Sequence, residues 1–125
     1  MAGSLSDYAE NKALDHILGT TSWTMPAPVL GLFTTDPGEA TGGTEVTGGS
    51  YARTAITFNA ASGGAATNIL VTFPTATADW GTASHWVIFD AGGNRIFRGS
   101  WDTAKSIPNG ATCKILAGTL SLSLD

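Results

Sequence analysis

Cysteine occurs once in the 125 residues, at Cys113, and histidine twice, at His16 and His85. One thiol excludes an intrachain disulfide and a CxxC redox motif. One thiol and two imidazoles also fall short of a zinc cluster, so neither a metal nor another cofactor is expected. Charge is scarce too: Asp, Glu, Lys and Arg make up 13% of the chain, against about 25% in ordinary domains. The six basic residues are scattered from Lys12 to Lys114, only Arg95 and Arg98 lie close together, and the net charge is −4. A nucleic-acid backbone is held by clustered cations, so no nucleic-acid partner is expected. No stretch approaches the roughly 20 apolar residues of a membrane span. The start of the chain lacks the basic and apolar regions of a secretory leader, so synthesis in the cytoplasm is expected.

What is present is a chain 42% hydrophobic, with Gly, Ala, Thr and Ser supplying much of the rest. That mixture is too apolar for a disordered chain. Its length suits one domain, residues 1–125, able to bury roughly two thirds of its unfolded surface. A surface so poor in charge points to extensive contact with other protein.

The spacing predicts one helix over residues 4–18. In SLSDYAENKALDHILG, the residues Leu5, Tyr8, Ala9, Ala13, Leu14, Ile17 and Leu18 recur every three or four positions. Ser4 or Ser6 can cap its first turn, Asp7 and Glu10 suit the positive end of the dipole, and Gly19 suits the C′ position. Such an amphipathic helix must lay its stripe on a sheet or on another subunit.

Residues 29–125 predict a mainly β module, a sandwich or barrel-like arrangement of about seven short antiparallel strands. Pro26 and Pro28 favour extended chain ahead of VLGLFT. In SYARTAITF the residues Ala52, Thr54, Ile56 and Phe58 share a face, and in NILVTF Ile69, Val71 and Phe73 alternate. NAASGGAAT reads as loop. HWVIFD, apolar on both faces, suits a central strand, and AGGN a hairpin turn. In RIFRGSW, Arg95, Phe97, Gly99 and Trp101 alternate with Ile96, Arg98 and Ser100. TCKIL follows the turn at Pro108–Gly110, and Leu120, Leu122 and Leu124 alternate at the end.

The stretch TDPGEATGGTEVTGGSYAR, from Thr35 to Arg53, invites a search for chemistry. It has no lysine, and strand signal follows it, so it is neither a P-loop nor a dinucleotide fingerprint. Asp36, Glu39 and Glu45, with Asp79, resemble a carboxylate pair, but a Gly/Thr loop lacks the packing to hold or bury an acid and base. Asp36 to Glu39 also lacks the pattern of an EF-hand. Ser84 and His85 are adjacent on a strand, so their side chains are expected on opposite faces and not in a triad, and no G-x-S-x-G elbow occurs. Cys113 reads as a small core residue. Trp80, Trp86 and Trp101 form either a glycan-stacking platform, with Trp80 between small residues as the exposed member, or core and interface anchors.

The segments LSDYAENKALDHILGT, LGLFTTDPGEA, GGSYARTAITF, VTFPTATADWGT, HWVIFD and LAGTLSLSLD, in this order, resemble the small bacteriophage virion structural proteins of the phage tail fibre-like family. The resemblance spans nearly the whole chain. It implies a non-enzymatic virion component with no catalytic residues to carry over. The leading expectation is a capsid cement or decoration protein on the outer surface of the particle; the alternative is a tail fibre-like receptor- or glycan-binding module. A homotrimer is expected from the closed symmetry of such assemblies, with the major capsid protein or a tail protein of the same phage as partner. The expected interface residues are Leu5, Tyr8 and Ile17 of the helix, Gly42, Gly43, Glu45, Gly48 and Gly49 of the glycine-rich stretch, and Arg95 and Arg98. On this reading the stretch is a surface loop, and deleting residues 42–49 leaves the domain folded.

Overall fold

The computed structural model describes residues 4–24, 27–38 and 41–123. Pro26, Glu39 and Leu124, which entered the sequence reading, lie outside them. The chain opens with a two-residue strand, β1 (Ser4–Leu5), and then forms the helix α1 (Asp7–Ile17). The helix is shorter than the predicted 4–18 because the sheet edge captures its first residues. Leu5 pairs with Phe97, and the Ser6 N–H donates to the Ile96 carbonyl at 2.9 Å. The Ser6 hydroxyl donates to the Arg95 carbonyl and accepts from the Ala9 N–H, which makes Ser6 the N-cap. Asp7 and Glu10 occupy the first turn and His16 the last, and Gly19 at φ 77° ends the helix.

The main sheet is antiparallel and five-stranded, in the order β1-β7-β6-β2-β3. Its members are β2 (Val29–Phe33), β3 (Thr54–Ala55), β6 (Gly81–Phe89) and β7 (Arg95–Ile107), with β1 at one edge. As the two-sided apolar pattern predicts, β6 is central. Trp86 and Ile88 join the main core, while Val87 and Phe89 form a second cluster with Phe33 on the opposite face. The hairpin to β7 closes on Asp90, whose carboxylate accepts the N–H groups of Gly92 and Asn94 and the Asn94 side-chain amide.

Two short ribbons complete the main core: β4 (Ala65–Thr67) with β9 (Ser121–Ser123), and β5 (Val71–Thr72) with β8 (Lys114–Ile115). Val71, Ile115 and Leu122 from the ribbons share one cluster with Leu30, Leu32, Trp86 and Trp101 from the sheet. Nine strands are thus seen among the described residues, arranged as an open sandwich-like module and not a closed barrel.

Three local readings are corrected. NAASGGAAT contains β4: its small residues carry little strand propensity, but pairing with β9 recruits them. Ile69 is exposed, because Asn68 takes the buried place before Val71 and Phe73. In β7, Ile88 pairs with Phe97 and Phe89 with Arg95, so Ile96 is the extra residue of a bulge and the alternation fails there.

Candidate functional site

All three arginines of the chain lie on the outer face of the five-stranded sheet or at its margin, over the second cluster. Gly31 makes room for the arrangement. A Cβ there would fall 2.9 Å from both a Glu45 carboxylate oxygen and the Phe89 ring. Glu45 reaches this notch because its segment bridges to Phe33, with Val46 N–H donating to the Leu32 carbonyl at 3.0 Å. The Glu45 carboxylate accepts from the Tyr51 hydroxyl at 2.7 Å and, in bidentate fashion, from Arg53 Nε at 2.9 Å and Nη2 at 2.8 Å. Tyr51 in turn accepts the Leu32 N–H at 2.9 Å.

The guanidinium of Arg53 sits 3.5 Å above the Phe89 ring centre, and that of Arg95 5.2 Å from the Phe33 ring centre. The two rings stack with centroids 6.2 Å apart. Arg95 also donates to the carbonyls of Pro37 and Gly42, the latter at 3.0 Å. Burial raises the pKa of Glu45, but the hydrogen bonds from Arg53 and Tyr51 and the charges of Arg53 and Arg95 outweigh it and hold the carboxyl below its ordinary value. Burial and the bond to Glu45 push the Tyr51 phenol well up. Burial presses the Arg95 pKa down, opposed by Glu45 and aided by Arg53. These groups make a structural electrostatic cluster, with Glu45 as counter-ion to both arginines.

The glycine-rich stretch is therefore bound to its own domain along much of its described length. Thr34 N–H donates to the Thr44 carbonyl at 2.8 Å, and Val46 belongs to the main core. Gly43 backs onto Pro37, Gly48 is exposed, and the Gly49 carbonyl accepts from the Trp80 indole at 2.9 Å and the Thr77 N–H. The idea that residues 42–49 are dispensable to the fold is corrected by the burial of Val46 and the anchoring of Glu45 and Gly49. Arg98 is half-buried with Nη1 3.9 Å from Asp36 Oδ1.

The tryptophan platform is not formed. Trp80, Trp86 and Trp101 are 5%, 0% and 6% exposed, so the expectation of an exposed Trp80 is corrected. Trp80 packs edge-on against Tyr51 and Phe73, and Trp86 packs against Trp101. The geometric argument about Ser84 and His85 is corrected as well. The ladder is irregular between Ala83 and His85, and Ser84 Oγ lies 2.8 Å from His85 Nδ1. Ser84 Oγ also donates to the Thr34 carbonyl at 3.0 Å. Its one proton is thereby engaged with the backbone, and the pair reads as a structural contact.

A different surface was only partly legible. In α1 only Ala9 is buried, while Leu14, Ile17 and Leu18 are 54%, 67% and 73% exposed. Tyr8 is exposed with Lys12 above its ring, and Leu5 is half-buried at the sheet edge. Ile69, Leu70 and Leu116 are also exposed, which no period in the sequence signals. Between the sheet and the β4–β9 ribbon lies an open apolar groove of about 490 Å³, lined by Pro28, Phe58, Ile88, Ile96, Phe97 and Leu122 among others.

The model of the family described as "Podophage GP4 fiber I protein gp80" matches residues 4–123. The chain belongs to this family. The match takes in every strand and α1 among the described residues. The chain is a structural protein of a bacteriophage. No curated protein matches it. Among the described residues, no helix is long and apolar enough to cross a membrane.

Proposed function

We propose that this chain is a non-enzymatic subunit of a podophage fibre, built into the virion as a homotrimer through the apolar stripe of α1. The carrying observation is that stripe. The sequence makes an amphipathic helix, and the protomer leaves Leu14, Ile17 and Leu18 mostly in water. Fully burying such a side chain contributes about 1.5–3 kcal/mol. Covering all three is worth roughly 3–6 kcal/mol per helix at their exposures. The open groove beside the β4–β9 ribbon adds a second apolar surface suited to subunit contact. Closed cyclic symmetry satisfies every copy of such a surface, which favours a closed ring over an open chain, and the trimer is the ring proposed. The fibre assignment rests on the family, and the absence of catalytic work on the engagement of Ser84 with the backbone and on the internal pairing of Glu45 and Arg53.

Light scattering on the purified chain tests the assembly. The wild type is expected at three times the mass of the chain, and Ile17→Asp with Leu18→Asp at the mass of one chain with an unchanged circular dichroism spectrum. A monomeric wild type at micromolar concentration would remove the proposed role of α1.

A further inference from the structure

We propose that Glu45 is an acid-sensitive counter-ion that keeps two guanidiniums over an aromatic pair, and that its protonation uncovers that pair while the main core stays folded. The stacked rings of Phe33 and Phe89 form a cluster with Val87 that is separate from the main core. Each ring carries one arginine, Arg53 over Phe89 and Arg95 over Phe33. Two cations over neighbouring rings repel, and the carboxylate of Glu45 compensates both.

Among the described residues, Arg53 is fastened by that carboxylate, through Nε and Nη2. Arg95 has two further holds, the carbonyls of Pro37 and Gly42. Neutralising Glu45 therefore weakens the grip on Arg53 selectively and leaves it facing an anchored Arg95. A neutral acid also has one acceptor fewer for the Tyr51 hydroxyl and the guanidinium.

The other charged and titratable groups around Glu45 do not replace it. Tyr51, on the same segment, is a neutral donor to it. From β6, His85 lies opposite Phe33, and from β7, Arg98 lies opposite Val87; both are basic. Asp36, next to the Pro37 carbonyl that accepts from Arg95, lies 3.9 Å from Arg98 Nη1 and is mostly in water. Glu45 is held ionised below the ordinary value of 4.5, so the face loses this carboxylate and gains net positive charge only as pH falls through that depressed value. Arg53, already 38% exposed at its side chain, is the member free to swing into water.

The test follows bis-ANS fluorescence and far-UV circular dichroism together from pH 7 to pH 2.5 on the full chain. In the wild type the dye signal should rise at least twofold above its pH 7 baseline before any loss of ellipticity. Glu45→Gln should start at the raised level at pH 7 and show no further step. Arg53→Met, which keeps an uncharged cover on Phe89, should stay at baseline until the chain unfolds. A wild-type rise that coincides with loss of ellipticity overturns the proposal, and so does a wild-type response retained in Arg53→Met. Should Glu45→Gln fail to fold, the Arg53→Met comparison decides alone.

Discussion

Gly99 stands directly across the ladder from Trp86, and the indole fills the space that a side chain at position 99 would need. A Cβ there would lie 2.6 Å from Trp86 Cζ2 and 2.9 Å from Cε2. Trp86 is fully buried between the sheet and the ribbons, so it has nowhere to retreat. Gly99→Ala is expected to cost about 1–3 kcal/mol through overpacking. Urea unfolding followed by tryptophan fluorescence measures it, and a change under about 0.5 kcal/mol would show that the indole yields.

Among the described residues, Asn68 is the fully buried polar side chain that ties both ribbons together. Its amide donates to the carbonyls of Ile69 and Leu116, and its Oδ1 accepts the Leu120 N–H at 2.9 Å. Asn68→Ala strands the Leu120 N–H and takes the donor from the Ile69 carbonyl, at about 1–3 kcal/mol for each left unsatisfied, while the Leu116 carbonyl keeps the Thr119 N–H and hydroxyl. A loss of at least about 2 kcal/mol is expected by chemical denaturation, with hydrogen exchange rising first around residues 116–122.

Deleting residues 42–49 is expected to unfold the chain, since the cut removes Val46 from the core and Glu45 from the Gly31 notch. Circular dichroism and a thermal melt check this. A deletion variant with a cooperative transition near the wild-type temperature would contradict the strapping described here.

Acid should destabilise the β6–β7 turn. Burial raises the Asp90 pKa, but the Asn94 side chain and the backbone N–H groups of Asn94, Gly92 and Gly93 outweigh this and hold it below 3.8. A depressed folded value gives stability that is complete above the unfolded pKa and is lost as pH falls through the folded one. Asp90→Asn is therefore expected to cost about 1–2 kcal/mol at pH 7, and less as pH drops below 3.8. Melting temperatures of both proteins from pH 7 to pH 2.5 should converge at the acid end.

What the sequence made legible were features with a local cause. Ser6, Asp7, Glu10 and Gly19 mark the helix, and the two-sided apolar run marks the central strand. What it hid depends on distant partners. The small residues beside Trp80 suggested exposure, yet the indole is buried, and Gly49 is small because the indole and Ala78 fill the space that a side chain there would need. The Glu45–Arg53 clamp spans eight positions and exists only because Gly31, on another strand, leaves room for it. Strand β4 has no pattern of its own and is defined by β9. Ser84 meets His85 because the ladder is irregular there.

The central claim, a fibre subunit of the virion, is tested most directly by immunogold electron microscopy of the parent phage with antibody against this chain. The account predicts label confined to the fibres of the tail. Label spread over the whole head would contradict it, and would instead establish a cement or decoration protein of the capsid.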